Sequence, residues 1–134
     1  MLQIQAEKAV PREVLRWIRK WSRRMSLPIF YLYVGVLDKP ASEDGDSVGE
    51  TYADPFYERA TIRVAPNILQ RDGACDETPE QVVLHELCHV LVSVFTKTVE
   101  VGRFSKVGTE IVRREHERLV TMITHDLWEA YKGR

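Results

Sequence analysis

The stretch 78–95, TPEQVVLHELCHVLVSVF, reads as a helix that is capped at its start and apolar almost all round. Thr78 suits the cap, Pro79 the first helical position and Glu80 the positive end of the helix dipole, and Gln81 lies three residues after the cap, where a capping box closes. From Val82 to Phe95 nearly every uncharged position is apolar, which predicts a helix buried most of the way round. In the middle of this run sit His85, Glu86 and His89, as HELCH. Burying three polar side chains without partners costs on the order of several kcal/mol, so they must share one. Residues four apart stack on one helix face, which lets the ring nitrogens of His85 and His89 converge on a single ion. Glu86 is rotated by one residue, beside the pair, within reach of a water at that ion. This is the spacing of a Zn2+ site. Cys88 points partly aside and reads as a small buried hydrophobe.

The rest of the chain is an ordinary body for such a helix. With 134 residues, 44% of them hydrophobic, one domain spanning 1–134 is expected. A net charge of -1 gives no reason to expect nucleic acid or an anionic membrane as partner. The start, MLQIQAEKAVPREV, lacks the basic-then-apolar pattern of a secretory signal, and no window approaches eighteen apolar residues, so a cytoplasmic protein with no membrane contact is expected. Two cysteines, Cys75 and Cys88, are too few for a disulfide scaffold and fit a reducing compartment.

Ahead of the motif, Val14, Trp17, Ile18, Trp21 and Met25 recur at helical spacing and predict a helix over 11–25. Its other face carries Arg12, Arg16, Arg19, Lys20, Arg23 and Arg24, which reads as a solvated face, with a docking stripe for an anionic partner as the alternative. Residues 29–37, IFYLYVGVL, read as a buried strand, and 38–55 as an acidic loop. In 57–65, YERATIRVA, Ala60, Ile62 and Val64 alternate with Arg59, Thr61 and Arg63, as in a half-buried strand whose basic outward residues suit a sheet edge. After a loop at 96–108, residues 109–131 read as a long helix. The expected architecture is α+β, ordered helix, strand, strand, helix, helix, with a small mixed sheet packed on the motif helix. A third short strand has room in 38–54 or 99–104.

Two histidines leave a zinc ion short of a protein ligand, and the last helix offers Glu115-His116-Glu117. At 100° per residue Glu115 falls on the polar side, with Arg118, His125 and Glu129, while His116 lies near the middle of the apolar face and Glu117 at its flank. Phase leaves both His116 and Glu117 open. His125 reads as a surface histidine.

HELCH followed on a later helix by EHERLV resembles the gluzincin pattern of zinc metallopeptidases, and more closely the small phage and prophage zincins called minimal gluzincins. The resemblance covers roughly residues 57–130. It implies a compact zincin-like domain in which His85, His89 and Glu117, the Glu before the x-Leu-Val step, hold the zinc. His116 stands where such sequences often carry another acid, which keeps a site of three histidines, with His116 as third ligand, as the alternative. A metzincin is not expected, because HELCHVLVSVF lacks the glycine and third histidine that those enzymes place after the motif.

The resemblance further implies a zinc-dependent peptide hydrolase, with Glu86 as general base toward a metal-activated water. Its peptide or protein substrate would lie along the strand 57–65, and Tyr131, His116 or an arginine would assist the oxyanion. The alternative is a non-catalytic zinc-containing binding or regulatory protein of the phage type. Glu86 separates the two, since a purely structural zinc needs no base beside its ligands.

Overall fold

The computed structural model describes residues 2–41, 48–70, 77–100 and 106–132. The chain runs β1 (Gln3–Ala6), α1 (Arg12–Met25), β2 (Tyr31–Val36), β3 (Gly49–Asp54), β4 (Arg59–Val64), α2 (Pro79–Glu100) and α3 (Lys106–Tyr131), with single 3-10 turns at 55–57 and 68–70. The four strands form one mixed sheet in the order β1-β2-β4-β3, packed against the helices. The α+β class is as the sequence predicts, and two strands are added to the expected order.

β1 pairs parallel with β2 and α1 is the crossover between them. Its four residues alternate too briefly to stand out in the sequence. The Glu7 carboxylate fastens its end by accepting from the Tyr33 hydroxyl (2.9 Å) and the Val36 N–H (3.3 Å). It lies over Gly35, where a Cβ would come within 2.7 Å of Oε1. β3 fills the space left open for a third strand in 38–54, whereas Val99 and Glu100 belong to α2 and 101–105 lie outside the described residues.

The strand over 57–65 is not an edge. β4 pairs parallel with β2 and antiparallel with β3, so its backbone is taken on both sides, and the edges are β1 and β3. Its arginines face solvent from the middle of an uncovered sheet face, where Arg63 lies 3.6 Å from Glu50 and Arg59 stands opposite Asp54 on β3. The alternation in the sequence reported an open face, which an interior strand of a one-sided sheet also has. β2 is likewise one-sided. Leu32 and Val34 are buried while Tyr31 is exposed and Tyr33 half-buried.

The covered face joins Leu32, Val34, Ile62 and Val64 to Val14, Ile18 and Trp21 of α1 and Val83, Leu84, Leu87 and Val90 of α2 in one core. α1 ends on Ser26, which adopts left-handed backbone (φ 51°) and donates its N–H to Ser22 O at 3.1 Å. α2 begins with the expected capping box: Gln81 N–H donates to Thr78 Oγ1 (3.2 Å) and Thr78 N–H to Gln81 Oε1 (2.7 Å). Among the described residues no helix is long and apolar enough to cross a membrane.

Candidate metal centre

α2 lies against both β3 and α3, and the motif faces the seam between them. His85 and His89 project the same way, with ring centroids 4.9 Å apart, and their side chains are 22% and 19% exposed. Ligand atoms of His85, Glu86 and His89 lie within 4.8 Å of one another, and so do those of His89, His116 and Glu117. His89 is common to both groups.

Both third-ligand candidates on α3 reach His89, at opposite nitrogens. Glu117 Oε2 lies 3.8 Å from His89 Nε2. His116 Nε2 lies 2.9 Å from His89 Nδ1, with the two rings stacked at 21°, and its other nitrogen, Nδ1, is 2.6 Å from Thr96 Oγ1. His85 has Glu77 Oε1 4.0 Å from its Nδ1. The remaining candidates lie elsewhere. Glu115 is exposed and pairs with Arg118 at 3.8 Å, His125 is exposed beside Asp126, and Tyr131 packs edge-on against Trp21. Cys88 is a buried free thiol whose pKa burial raises to about 11, so it is inert packing; Cys75 lies outside the described residues.

The spacing of His89 and Glu117 fits two ligands of one zinc ion. Zinc bonds to His and carboxylate ligands are about 2.0–2.2 Å, which separates two ligand atoms on a tetrahedral ion by roughly 3.3–3.6 Å. The 3.8 Å between His89 Nε2 and Glu117 Oε2 is close to that and too long for a hydrogen bond. A ligating imidazole must also be neutral. Burial does this for His89 by lowering its pKa to about 4, against the opposing pull of Glu117.

Glu86 is buried, and burial raises its pKa above the usual carboxylate value while a hydrogen bond from Thr51 pulls it back. Thr51 on β3 donates its hydroxyl to Glu86 Oε2 in a short contact, and Thr51 Oγ1 also lies 3.1 Å from the Glu86 carbonyl oxygen. Gly49, at the start of β3, lets the backbone approach: a Cβ there would stand 3.0 Å from Glu86 Cγ and 3.2 Å from Oε1. Next to His89 a cavity of about 300 Å³ opens between β3, α2 and α3, with Tyr52, Lys97, Arg113 and Glu117 in its walls.

Thr51, Gly49 and Thr96 are the site residues that sequence reasoning missed. A glycine or threonine on a strand, or a threonine near the end of a helix, announces no chemistry, and only the placement of β3 and α3 against α2 gives these three a role. No family model, no curated protein and no solved structure matches the chain, so the centre rests on its own geometry.

Proposed function

We propose that this protein is a zinc-dependent peptide hydrolase in which His85, His89 and Glu117 hold the metal and Glu86 is the general base. The observation that carries the reading is the buried Glu86 carboxylate, braced by Thr51 beside His85 and His89, the second of which has the Glu117 carboxylate of α3 3.8 Å from its Nε2. Zinc held by these ligands supplies a lowered water pKa and a countercharge for the oxyanion that forms at the scissile carbonyl. Glu86 takes a proton from the water as the new C–O bond forms, and gives it to the amine nitrogen as the C–N bond breaks. Burial suits it to both tasks, because a raised pKa brings the carboxylate closer to working pH.

The substrate position assigned to strand 57–65 moves with the topology. β4 has no free edge, whereas β3 is an edge strand, contacts α2 and carries Thr51. An extended peptide pairing with β3 would bring its backbone past Glu86 and one side chain toward the cavity, where Lys97 and Arg113 favour an acidic residue.

Metal analysis of the purified protein tests the centre, and about one zinc per chain is expected, lost in His85→Ala and in His89→Ala. Glu86→Gln should keep its zinc and lose turnover by about 10²–10⁴-fold. Turnover that survives this change removes Glu86 from the role of base. Zinc bound by a wild type that turns over no peptide favours the binding-protein reading instead.

A further inference from the structure

Beyond the two motif histidines, the site contains a hydrogen-bonded chain that runs from His89 away from the metal position. His89 Nδ1 meets His116 Nε2 at 2.9 Å, His116 Nδ1 meets Thr96 Oγ1 at 2.6 Å, and Thr96 Oγ1 lies 3.4 Å from the carbonyl oxygen of Val92, one turn back on α2. We infer that His116 is a positioning residue for His89, holding its ring and fixing which nitrogen carries the hydrogen, and that the third ligand is Glu117. This rests on the metal reading above.

Two imidazoles and a hydroxyl in a row can carry their hydrogens in either of two senses. If Thr96 donates to His116, then His116 Nε2–H donates to His89 Nδ1, and His89 is left with its hydrogen on Nε2, aimed at Glu117. In the reverse sense His89 Nδ1–H donates to His116 Nε2, His116 Nδ1–H donates to Thr96 Oγ1, and Thr96 donates to Val92 O, which can only accept. That sense finds an acceptor for every hydrogen and leaves the His89 Nε2 lone pair bare, facing Glu117 Oε2 at 3.8 Å. A cation at Nε2 is compatible with this sense alone.

The same count removes His116 from the ligand set. Its Nε2 is engaged by His89 and its Nδ1 by Thr96, so ligation through either nitrogen requires breaking one of two short contacts. Stacking of its ring on that of His89, with centroids 5.1 Å apart, adds a packing constraint on the ligand's orientation. The geometry thus makes a histidine do what a carboxylate or carbonyl commonly does behind a zinc-bound imidazole.

The test uses the whole 134-residue chain, zinc titration and ¹⁵N spectroscopy of the histidine rings. In the zinc-loaded protein, His89 should show a hydrogen on Nδ1 and metal on Nε2, and His116 should show a hydrogen on Nδ1 with Nε2 as a hydrogen-bond acceptor. His116→Ala should weaken zinc binding by about 10- to 100-fold, the range for losing such an outer partner. His116→Gln, whose Oε1 can accept from Nδ1–H, should recover most of that loss. Thr96→Ser should behave as wild type, and Thr96→Val should weaken binding in the same direction as His116→Ala. A metal-bound nitrogen on His116, or a His116→Gln protein no better than His116→Ala, overturns the assignment while the zinc site stands. A wild type that binds no zinc sinks the site itself and the role of His116 with it. The two failures are therefore distinguishable.

Discussion

The two helices that build the centre are constructed on opposite terms. α2 is packed on several sides, with Val83, Leu84, Leu87, Cys88 and Val90 wholly removed from solvent, whereas α3 buries only Val120 and Thr124 and exposes Ile111, Leu119 and Met122. On α2 a polar side chain must have a purpose, because burial without a partner is costly. On α3 the same residue types sit among many solvated ones, and Glu117, with 64% of its side chain exposed, looks like any surface acid until it is seen beside His89. The buried helix supplies the fixed half of the site, and the exposed helix supplies the half whose chemistry depends on where it docks.

Paired leucine truncations test this contrast most severely. Leu87→Ala, one residue from Glu86 and fully buried, should cost about 2–5 kcal/mol of stability. Leu119→Ala on α3, where the side chain is 44% exposed, should stay within about 0.5 kcal/mol. Denaturant midpoints measure both, and equal losses would mean that α3 is buried in a way its exposure does not show.

That difference also explains what was legible in the sequence. α2 could be read because its signals are local: a cap at Thr78, a box closed by Gln81, and two histidines four apart. The choice between His116 and Glu117 could not, since adjacent residues on a helix differ by only 100° and both reach His89 once α3 docks. The sheet shows the same limit. Alternation in 57–65 revealed which side chains face the core, yet whether the strand lies at an edge depends on β3, which is drawn from a stretch that reads as loop. Residue types reported faces, and long-range pairing decided edges.

Thr51 is where the unreadable part of the fold touches the readable part, and its removal should have an intermediate effect. Thr51→Val keeps the shape and deletes the hydroxyl that lowers the Glu86 pKa. Leaving that buried carboxylate short of a partner should cost about 1–3 kcal/mol. The Glu86 pKa should rise further, moving the acid limb of the activity profile to higher pH. A profile that does not move would show that Thr51 braces β3 and does not tune the base.

The metal-free protein offers a test of the buried half by pH. The folded pKa of His89 is about 4, against 6.5 ordinarily, so between these values the unfolded chain binds the proton and the folded chain does not. Stability should therefore fall as pH drops from about 6.5 toward 4, a contribution fully present above that window. His89→Gln should flatten this slope, measured as the difference from wild type so that Glu86, whose raised pKa acts in the opposite direction, is common to both. A slope unchanged by the substitution would mean that His89 is solvated enough to protonate normally.

The smallest effect is expected on α3, and it is the one that separates function from stability. Arg113 is exposed, so Arg113→Ala should leave the fold within about 0.5 kcal/mol of wild type. Yet Arg113 lines the cavity next to His89, across from Tyr52 of the edge strand. If an acidic side chain of the peptide enters there, the pair forms at a partly solvated rim and is worth about 1 kcal/mol at most, which corresponds to roughly fivefold in kcat/KM. That loss should appear for a peptide with Glu at the cavity position and vanish for its Gln counterpart, and the preference should weaken as salt is raised. Equal losses for the two peptides would mean that Arg113 shapes the cavity wall without reading charge. No loss for either peptide in Arg113→Ala would leave Lys97, on the better buried helix, as the residue that sets the preference.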